Sequence, residues 1–232
     1  MNLKNVFGRV LIIAAHADDE TLGCGGLITK LKDQSIDCHT HIATGSGETT
    51  HPIFSESEFK KIKSEFKNAI LHLGNPEYSF GNLPAAMLND FSTYKINSNI
   101  ENVINKINPN TLFVPSANDL HLDHNILNYA AKVAARPYLR KRLELQGLIE
   151  YEVPSETNIY FDNSNDIFLP NLFLDISEEL DTKLRAFSEY KSQLQLDNQP
   201  RSLEGLRALA SYRGVNIGSK YAEAYKIVYG RL

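Results

Sequence analysis

His16-Ala17-Asp18-Asp19-Glu20 follows directly on the apolar run Val10-Leu11-Ile12-Ile13-Ala14-Ala15. Burying an unpaired carboxylate is costly, so a histidine and three acids at the end of a buried strand point to a metal or to proton chemistry. A second cluster, His121-Leu122-Asp123-His124, stands further along the chain. Zinc in a hydrolytic site usually has three protein ligands and keeps a fourth position open for water. His16, Asp19 and His124 could supply those three ligands. Asp18 is then surplus. A free carboxylate beside a metal's water is a natural general base, because the metal brings that water's pKa towards about 7. His121 and His124 share one side of a first helical turn, so His121 could stabilise an oxyanion if protonated, or deliver a proton to a leaving amine. Asp123 could hold a histidine's orientation or keep it charged. Fe(II), Co(II) or Ni(II) suits two imidazoles and a carboxylate as well as Zn(II) does.

A lone histidine or acid at a strand end is a cap or surface group more often than a ligand. Two such clusters at equivalent sheet positions change that balance. Glu20 reads as structural, at a helix N-terminus. Gly23-Cys24-Gly25-Gly26 lacks both GxGxxG and the P-loop lysine. Its glycines therefore indicate close packing of a loop on a helix, and Cys24 a small buried thiol. His39, His41, His51 and His72 carry no partner pattern.

The elements that must position these groups alternate. Val10–Ala15 reads as a buried strand and Cys38–Thr44 as a second. The loop after it runs through Thr44-Gly45-Ser46-Gly47. Phe59, Ile62, Phe66, Ala69, Ile70 and Leu73 recur at helical spacing, stopped by Gly74 and Pro76. Residues 75–95 look irregular, and Ile96 to Ile107 form the next helix. Thr111–Pro115 is a short strand. Asn118 or Asp119 offers an N-cap for a helix holding His121 to Ala135. Asn158–Phe161 and Asn171–Asp175 read as strands, and Ser177-Glu178-Glu179 as a helix start. Ile176, Leu180, Leu184, Phe187 and Leu194 make that helix's buried face. Residues 201–212 suggest a short helix and Tyr221–Tyr229 a last strand. The pattern predicts an α/β fold, a Rossmann-like three-layer domain with a mostly parallel sheet, one domain over residues 1–232. Both clusters then lie at the carboxyl ends of strands, where such sheets bind ligands.

The chain has 232 residues and a net charge of −4, which gives no basic footprint for nucleic acid. An anionic substrate would need a local basic pocket. The first apolar run is too short to span a membrane and lacks a small-residue cleavage site. Two cysteines give no disulfide framework, so a cytoplasmic location is expected.

The motifs resemble those of the LmbE-like, or PIG-L, N-acetylglucosaminyl deacetylases. That family's first motif is a strand ending in (A/P)HPDDE before a Gly-rich turn, here Ala15-His16-Ala17-Asp18-Asp19-Glu20-Thr21-Leu22-Gly23. Its HxDH motif stands as His121 to His124. Lys183 to Phe187 with Tyr190-Lys191-Ser192-Gln193, and Tyr212-Arg213-Gly214 with Tyr221-Ala222-Glu223-Ala224-Tyr225, resemble its C-terminal segments. The resemblance implies His16, Asp19 and His124 as metal ligands, Asp18 as general base, and His121 as the polarising or protonating histidine with Asp123 in support. Two positions depart from the pattern. Ala17 replaces a proline, which alters loop stiffness more than chemistry. Ile62, flanked by Lys61 and Lys63, replaces an arginine that helps many members hold substrate. Arg213 offers an alternative anion contact, or a partner for a structural acid.

The expected function is a zinc-dependent hydrolase, with one Zn2+ per chain or another divalent ion such as Fe2+. It would remove the N-acetyl group from an amino sugar or its nucleotide or glycoside conjugate, releasing acetate and a free amine. The partner is then a small N-acetyl amino sugar, nucleotide-linked in one version; an oligomer is compatible with the sequence. The Gly-Cys-Gly-Gly subgroup implies surface-polysaccharide or sugar-nucleotide metabolism. The rivals are a de-N-formylase or a hydrolase of a thiol-precursor glycoside, and, from another class, a non-catalytic sugar or nucleotide binder on the same fold.

Overall fold

The run at Val10 sends alternate side chains to two opposite helical layers, which is why it reads as continuously apolar. It forms β1 (Val10–Ala14) of a computed structural model that describes residues 2–136, 138, 144–159 and 167–231. β1 pairs in parallel with β2 (Cys38–Gly45) and β4 (Thr111–Pro115). β3 (Glu77–Pro84) lies beyond β2 and β5 (Gly147–Tyr151) beyond β4, both parallel. β7 (Ala222–Gly230) runs antiparallel to β5, and β6 (Leu172–Asp175) antiparallel to β7. The sheet order is β3-β2-β1-β4-β5-β7-β6.

The helices are α1 (Leu3–Phe7), α2 (Asp19–Asp33), α3 (Glu56–His72), α4 (Thr93–Ile107), α5 (Leu122–Ala134), α6 (Leu180–Ser188) and α7 (Leu203–Val215). Val10, Ile12 and Phe113 pack with Leu27 and Ile28 of α2, Phe66 and Ile70 of α3, Phe187 of α6 and Leu206 of α7. Leu11, Ile13, Leu112 and Val114 pack on the other face with Ile96, Ile100 and Ile104 of α4 and Leu127 and Ala131 of α5. The result is the expected mostly parallel sheet between helical layers. The chain builds outward from β1 through β2 to β3, then returns to β4 on the other side. The carboxyl ends of β1 and β4 therefore flank the switch point, where such sheets leave a crevice.

Two strands escaped the pattern. β3 lies at a sheet edge, and its register on β2 shifts between Ile42 and Thr44, beside Gly81 and Asn82. β5 carries Glu150 in its middle, and a carboxylate in a central strand breaks the apolar run. Glu150 is buried because Lys132 (2.8 Å) and Asn128 (2.9 Å) reach it. Of the strand expected at Asn158–Phe161, Asn158 and Ile159 lie in a turn, and 160–161 fall outside the described residues. The N-cap of α5 is His121 itself, not Asn118 or Asp119. Leu194 lies beyond α6 and is 37% exposed.

The glycines at 23, 25 and 26 are inside α2, not in a loop before it. Glycine weakens a helix by about 1 kcal/mol, but here packing decides. A Cβ at Gly23 would lie 2.2 Å from the Tyr151 ring, and one at Gly26 2.5 Å from Ile176. The C-terminal Glu223 completes this contact. Its carboxylate accepts from the backbone N–H groups of Gly26 and Leu27 (both 2.8 Å), from the Tyr225 hydroxyl (2.6 Å) and from Lys183 Nζ (2.7 Å). All of these groups are buried, so the ion pair staples β7 and α6 onto α2. Removing one partner of such a pair strands the other charge, at a cost of about 3–5 kcal/mol. Glu223→Ala is expected to lower unfolding free energy by about that amount in urea titration. Lys183→Met added to it should restore part of the loss. A fall below ~1 kcal/mol would show the pair is dispensable.

Candidate active site

His16 stands just beyond β1, Asp18 and Asp19 open α2, and His121, Asp123 and His124 open α5. The switch-point crevice brings all six together. His16 Nδ1, Asp19 Oδ2 and His124 Nε2 converge: the two imidazole nitrogens are 3.4 Å apart, and Asp19 Oδ2 is 3.3 Å from His124 and 3.7 Å from His16. Ligand atoms about 2.1 Å from a tetrahedral zinc lie about 3.4 Å from one another. The donor set therefore fits a small divalent cation. One nitrogen from each of His16, His121 and His124 also falls within a 4.8 Å cluster. The trio with Asp19 is tighter and brings negative charge, so it matches a cation better.

The outward nitrogens of the two candidate ligands each meet a carboxylate. His16 Nε2 is 2.9 Å from Asp123 Oδ2, and Asp123 is itself fixed by the N–H groups of Ala86 (2.6 Å) and Leu88 (3.1 Å). His124 Nδ1 lies 3.1 Å from Asp119 Oδ2, off the N–H axis, so this is an ion-pair contact more than a linear hydrogen bond. Thr157 and the His121 N–H hold Asp119 in place. Metal-binding histidines almost always meet such a partner, which orients the ring and fixes its tautomer. Asp119 was visible in the sequence only as a capping candidate; the signal missed was its place five residues before His124, across one turn of approach into α5. Asp123 supports His16 rather than His121, which it touches only through its backbone: its N–H donates to His121 Nδ1 at 3.2 Å.

Burial pushes every charge here towards neutrality, and neighbours decide the outcome. Burial would raise Asp19, but His124 and His16 beside it hold it well below the usual carboxylate range. Burial would lower His124, but Asp19 and Asp119 raise it well above an ordinary histidine. These carboxylates demand positive charge at this point, from a proton or from a metal cation. His121 has no such excess of acids. Burial, then His16 and His124, bring it down to about 4, which leaves a neutral ring. Since Nδ1 accepts from Asp123, Nε2 carries its proton.

Asp18 is buried, and its pKa is raised well above the ordinary value by burial and by Asp19, against the pull of Arg201. Its backbone has φ 135°, a strained conformation for a residue with a Cβ. Three contacts hold it there. Its N–H donates to Glu20 Oε2 (3.0 Å), and its carbonyl accepts from Thr21 and Leu22. Glu20 is fixed in turn by the Thr21 hydroxyl (2.5 Å) and by Tyr190 (2.6 Å). Glu20 is thus structural, as expected, and it shapes the turn that presents Asp18.

A cavity of about 480 Å³ opens over these groups, a volume ordinary for a small-molecule site. Phe54, Phe59, Ile62 and Phe80 give it an apolar wall; Ser155, Glu156, Ser192, Gln193 and Arg201 give it a polar one. His51, unassigned from sequence, shapes the rim: its Nδ1 accepts from the N–H groups of Ile53 and Phe54, and its Nε2 donates to the Ala85 carbonyl. Lys61 and Lys63 flank Ile62 on the cavity side. Arg213 lies elsewhere. It makes a two-pronged pair with Glu152 (2.9 and 2.6 Å) and does not line the cavity, so it is the partner of a structural acid. Arg201 occupies the cavity instead, and nothing in its surroundings Pro200-Arg201-Ser202 signalled this from sequence.

Residues 11–135 match the PIG-L family, described as GlcNAc-PI de-N-acetylase, and the chain belongs to that family. The diacetylchitobiose deacetylase of Thermococcus kodakarensis is 28% identical over 241 residues, covering 96% of this chain and 84% of that protein. The N,N'-diacetylchitobiose deacetylase of Pyrococcus horikoshii, solved with an inhibitor, shares the fold with a TM-score of 0.77 at 22% identity, over 99% of this chain and 87% of that one. The 4-carboxy-2-hydroxymuconate hydratase of Pseudomonas putida shares it too, with a TM-score of 0.73 at 19% identity over 97% and 98% of the chains. The fold alone therefore does not select the reaction.

Asp119 provides a direct check on the cluster. Asp119→Asn is expected to weaken zinc affinity about 10–100-fold, measured by competition with a chelating dye. An unchanged affinity would mean that His124 needs no orienting acid.

Proposed function

We propose that this chain is a metal-dependent N-deacetylase that removes the acetyl group from an N-acetylated amino sugar. The observation that carries the reading is the convergence of His16, Asp19 and His124 with a carboxylate behind each imidazole. These three residues would hold one divalent cation, with zinc favoured by the ligand types. When bound, such a cation polarises a carbonyl and lowers the pKa of water to about 7.

The chain's own groups supply the rest. Asp18 takes the proton of the water that attacks the acetyl carbonyl carbon. Its raised pKa suits a carboxylate that must first accept a proton and then give it back. His121 donates a hydrogen bond from Nε2 to the carbonyl oxygen as negative charge gathers there, and a neutral ring can do this. Asp18 then passes its proton to the sugar nitrogen as the C–N bond breaks, which leaves acetate and a free amine. Asp123 and Asp119 hold the rings of His16 and His124 in register. The aromatic wall suits the C–H face of a pyranose, and Ser155, Ser192 and Gln193 suit its hydroxyls. Family membership and the acetylated-sugar activity named for the Thermococcus relative support the same reading.

The test joins metal content to product. Wild-type protein purified anaerobically is expected to hold about one metal per chain and to release acetate, not formate, from one or more of a panel of N-acetyl sugars. His16→Ala should lose the metal. Asp18→Asn should keep it while kcat falls about 10²–10⁴-fold. Loss of metal in Asp18→Asn would make Asp18 a ligand and sink the assignment. Absence of metal binding in the wild type would leave a sugar-binding module, and turnover without acetate would point towards other chemistry on this fold.

A further inference from the structure

Arg201 touches the candidate base and yet is poorly satisfied by the protein. Its Nη1 lies 3.5 Å from Asp18 Oδ2 and 3.3 Å from Gln193 Oε1, both long contacts. Its Nε is buried with no acceptor. Nη2 has no acceptor among the described residues, and the side chain, 27% exposed, lines the cavity. A guanidinium carries five N–H donors. Buried donors left unmet are rare in a native fold, so such a group calls for an explanation.

The backbone explains how Arg201 stays there without good acceptors. Its N–H donates to Gln195 Oε1 (3.0 Å), and its carbonyl accepts from the Gln195 N–H (3.1 Å). The next residue, Ser202, caps α7. Upstream, Tyr190 is tied to Glu20, and Ser192 donates to Glu65 through both N–H and hydroxyl. The segment between α6 and α7 is thus anchored at both ends to α2, α3 and α7. It presents the guanidinium to the cavity by main-chain and anchor contacts, leaving the donors available.

We propose that Arg201 both positions Asp18 and binds substrate. Nη1 fixes the Asp18 carboxylate, and Nη2 donates to an oxygen of the sugar adjoining the acetamide. The proposal rests on the deacetylase reading above.

The experiment uses the metal-loaded full chain with N,N'-diacetylchitobiose as probe. Arg201→Ala is expected to keep metal content and Tm while kcat/KM falls about 100-fold, shared between a lower kcat and a higher KM. Free guanidinium should restore at least about tenfold of this, and Arg201→Lys should recover less, because a point charge cannot bridge two acceptors. In the wild type, the Nε–H resonance of Arg201 should shift as the sugar is added. An Arg201→Ala enzyme within about threefold of wild type, a loss that guanidinium does not restore, or a resonance that stays in place at saturating sugar would each overturn the proposal. A wild type silent on every N-acetyl sugar refutes the deacetylase reading instead, and the resonance then decides the role of Arg201 separately.

Discussion

Charge compensation among buried groups is the constraint on which this structure depends. Asp18, Asp19, Asp119, Asp123, His124 and Glu20 are all buried at the carboxyl ends of β1 and β4. Isolated, each would be too costly to ionise there. Arranged as they are, each aspartate faces an imidazole or a guanidinium, and Glu20 accepts from two hydroxyls and a backbone N–H. The arrangement needs donors from both halves of the fold: Ala86 and Leu88 follow β3, Thr157 follows β5, and Tyr190 and Arg201 come from the C-terminal segment. The site is therefore a product of the whole sheet, not of the two motifs that first draw the eye.

Those motifs were nonetheless the most readable part. The central strands β1 and β4 announce themselves because strands buried on both faces read as short, nearly continuous apolar runs. His16, Asp18 and Asp19 were readable as candidates because charge directly after such a strand has few structural uses, and His121, Asp123 and His124 because a second such cluster opens the helix after β4. What stayed hidden shares one cause. Arg201, Ser192 and Glu150 act through partners distant in the chain, and a residue whose meaning lies in a long-range contact looks like any surface residue in sequence. β5 was masked for that reason: its Glu150 is tolerable only because Lys132 and Asn128 of α5 lie against it. Arg213 shows the converse. Its position near a family motif suggested a ligand, but Glu152 claims both prongs of its guanidinium.

The C-terminal similarity to the family likewise divides into two physical jobs. Lys183, Glu223 and Tyr225 form a buried polar knot that fixes α2 against β7, remote from the cavity. Tyr190 and Ser192, only a few residues on from Lys183, tie the cavity wall to Glu20 and Glu65. One contiguous stretch of sequence therefore serves both the scaffold and the site, with α2 as the shared member. Helix α2 can accept so much because its glycines let Tyr151 and Ile176 approach its backbone.

The backbone at Asp18 carries an evolutionary consequence. At φ 135° this position would be most comfortable as glycine, and the carboxylate stands there against local preference, held by Glu20 and the first turn of α2. Selection for stability alone would erase it. A lineage released from catalysis should therefore drift to glycine at position 18 early, while the proposed ligands His16, Asp19 and His124, none of which has a positive φ, outlast it. The identity of that single residue would then serve as a clock for loss of activity among copies of this gene.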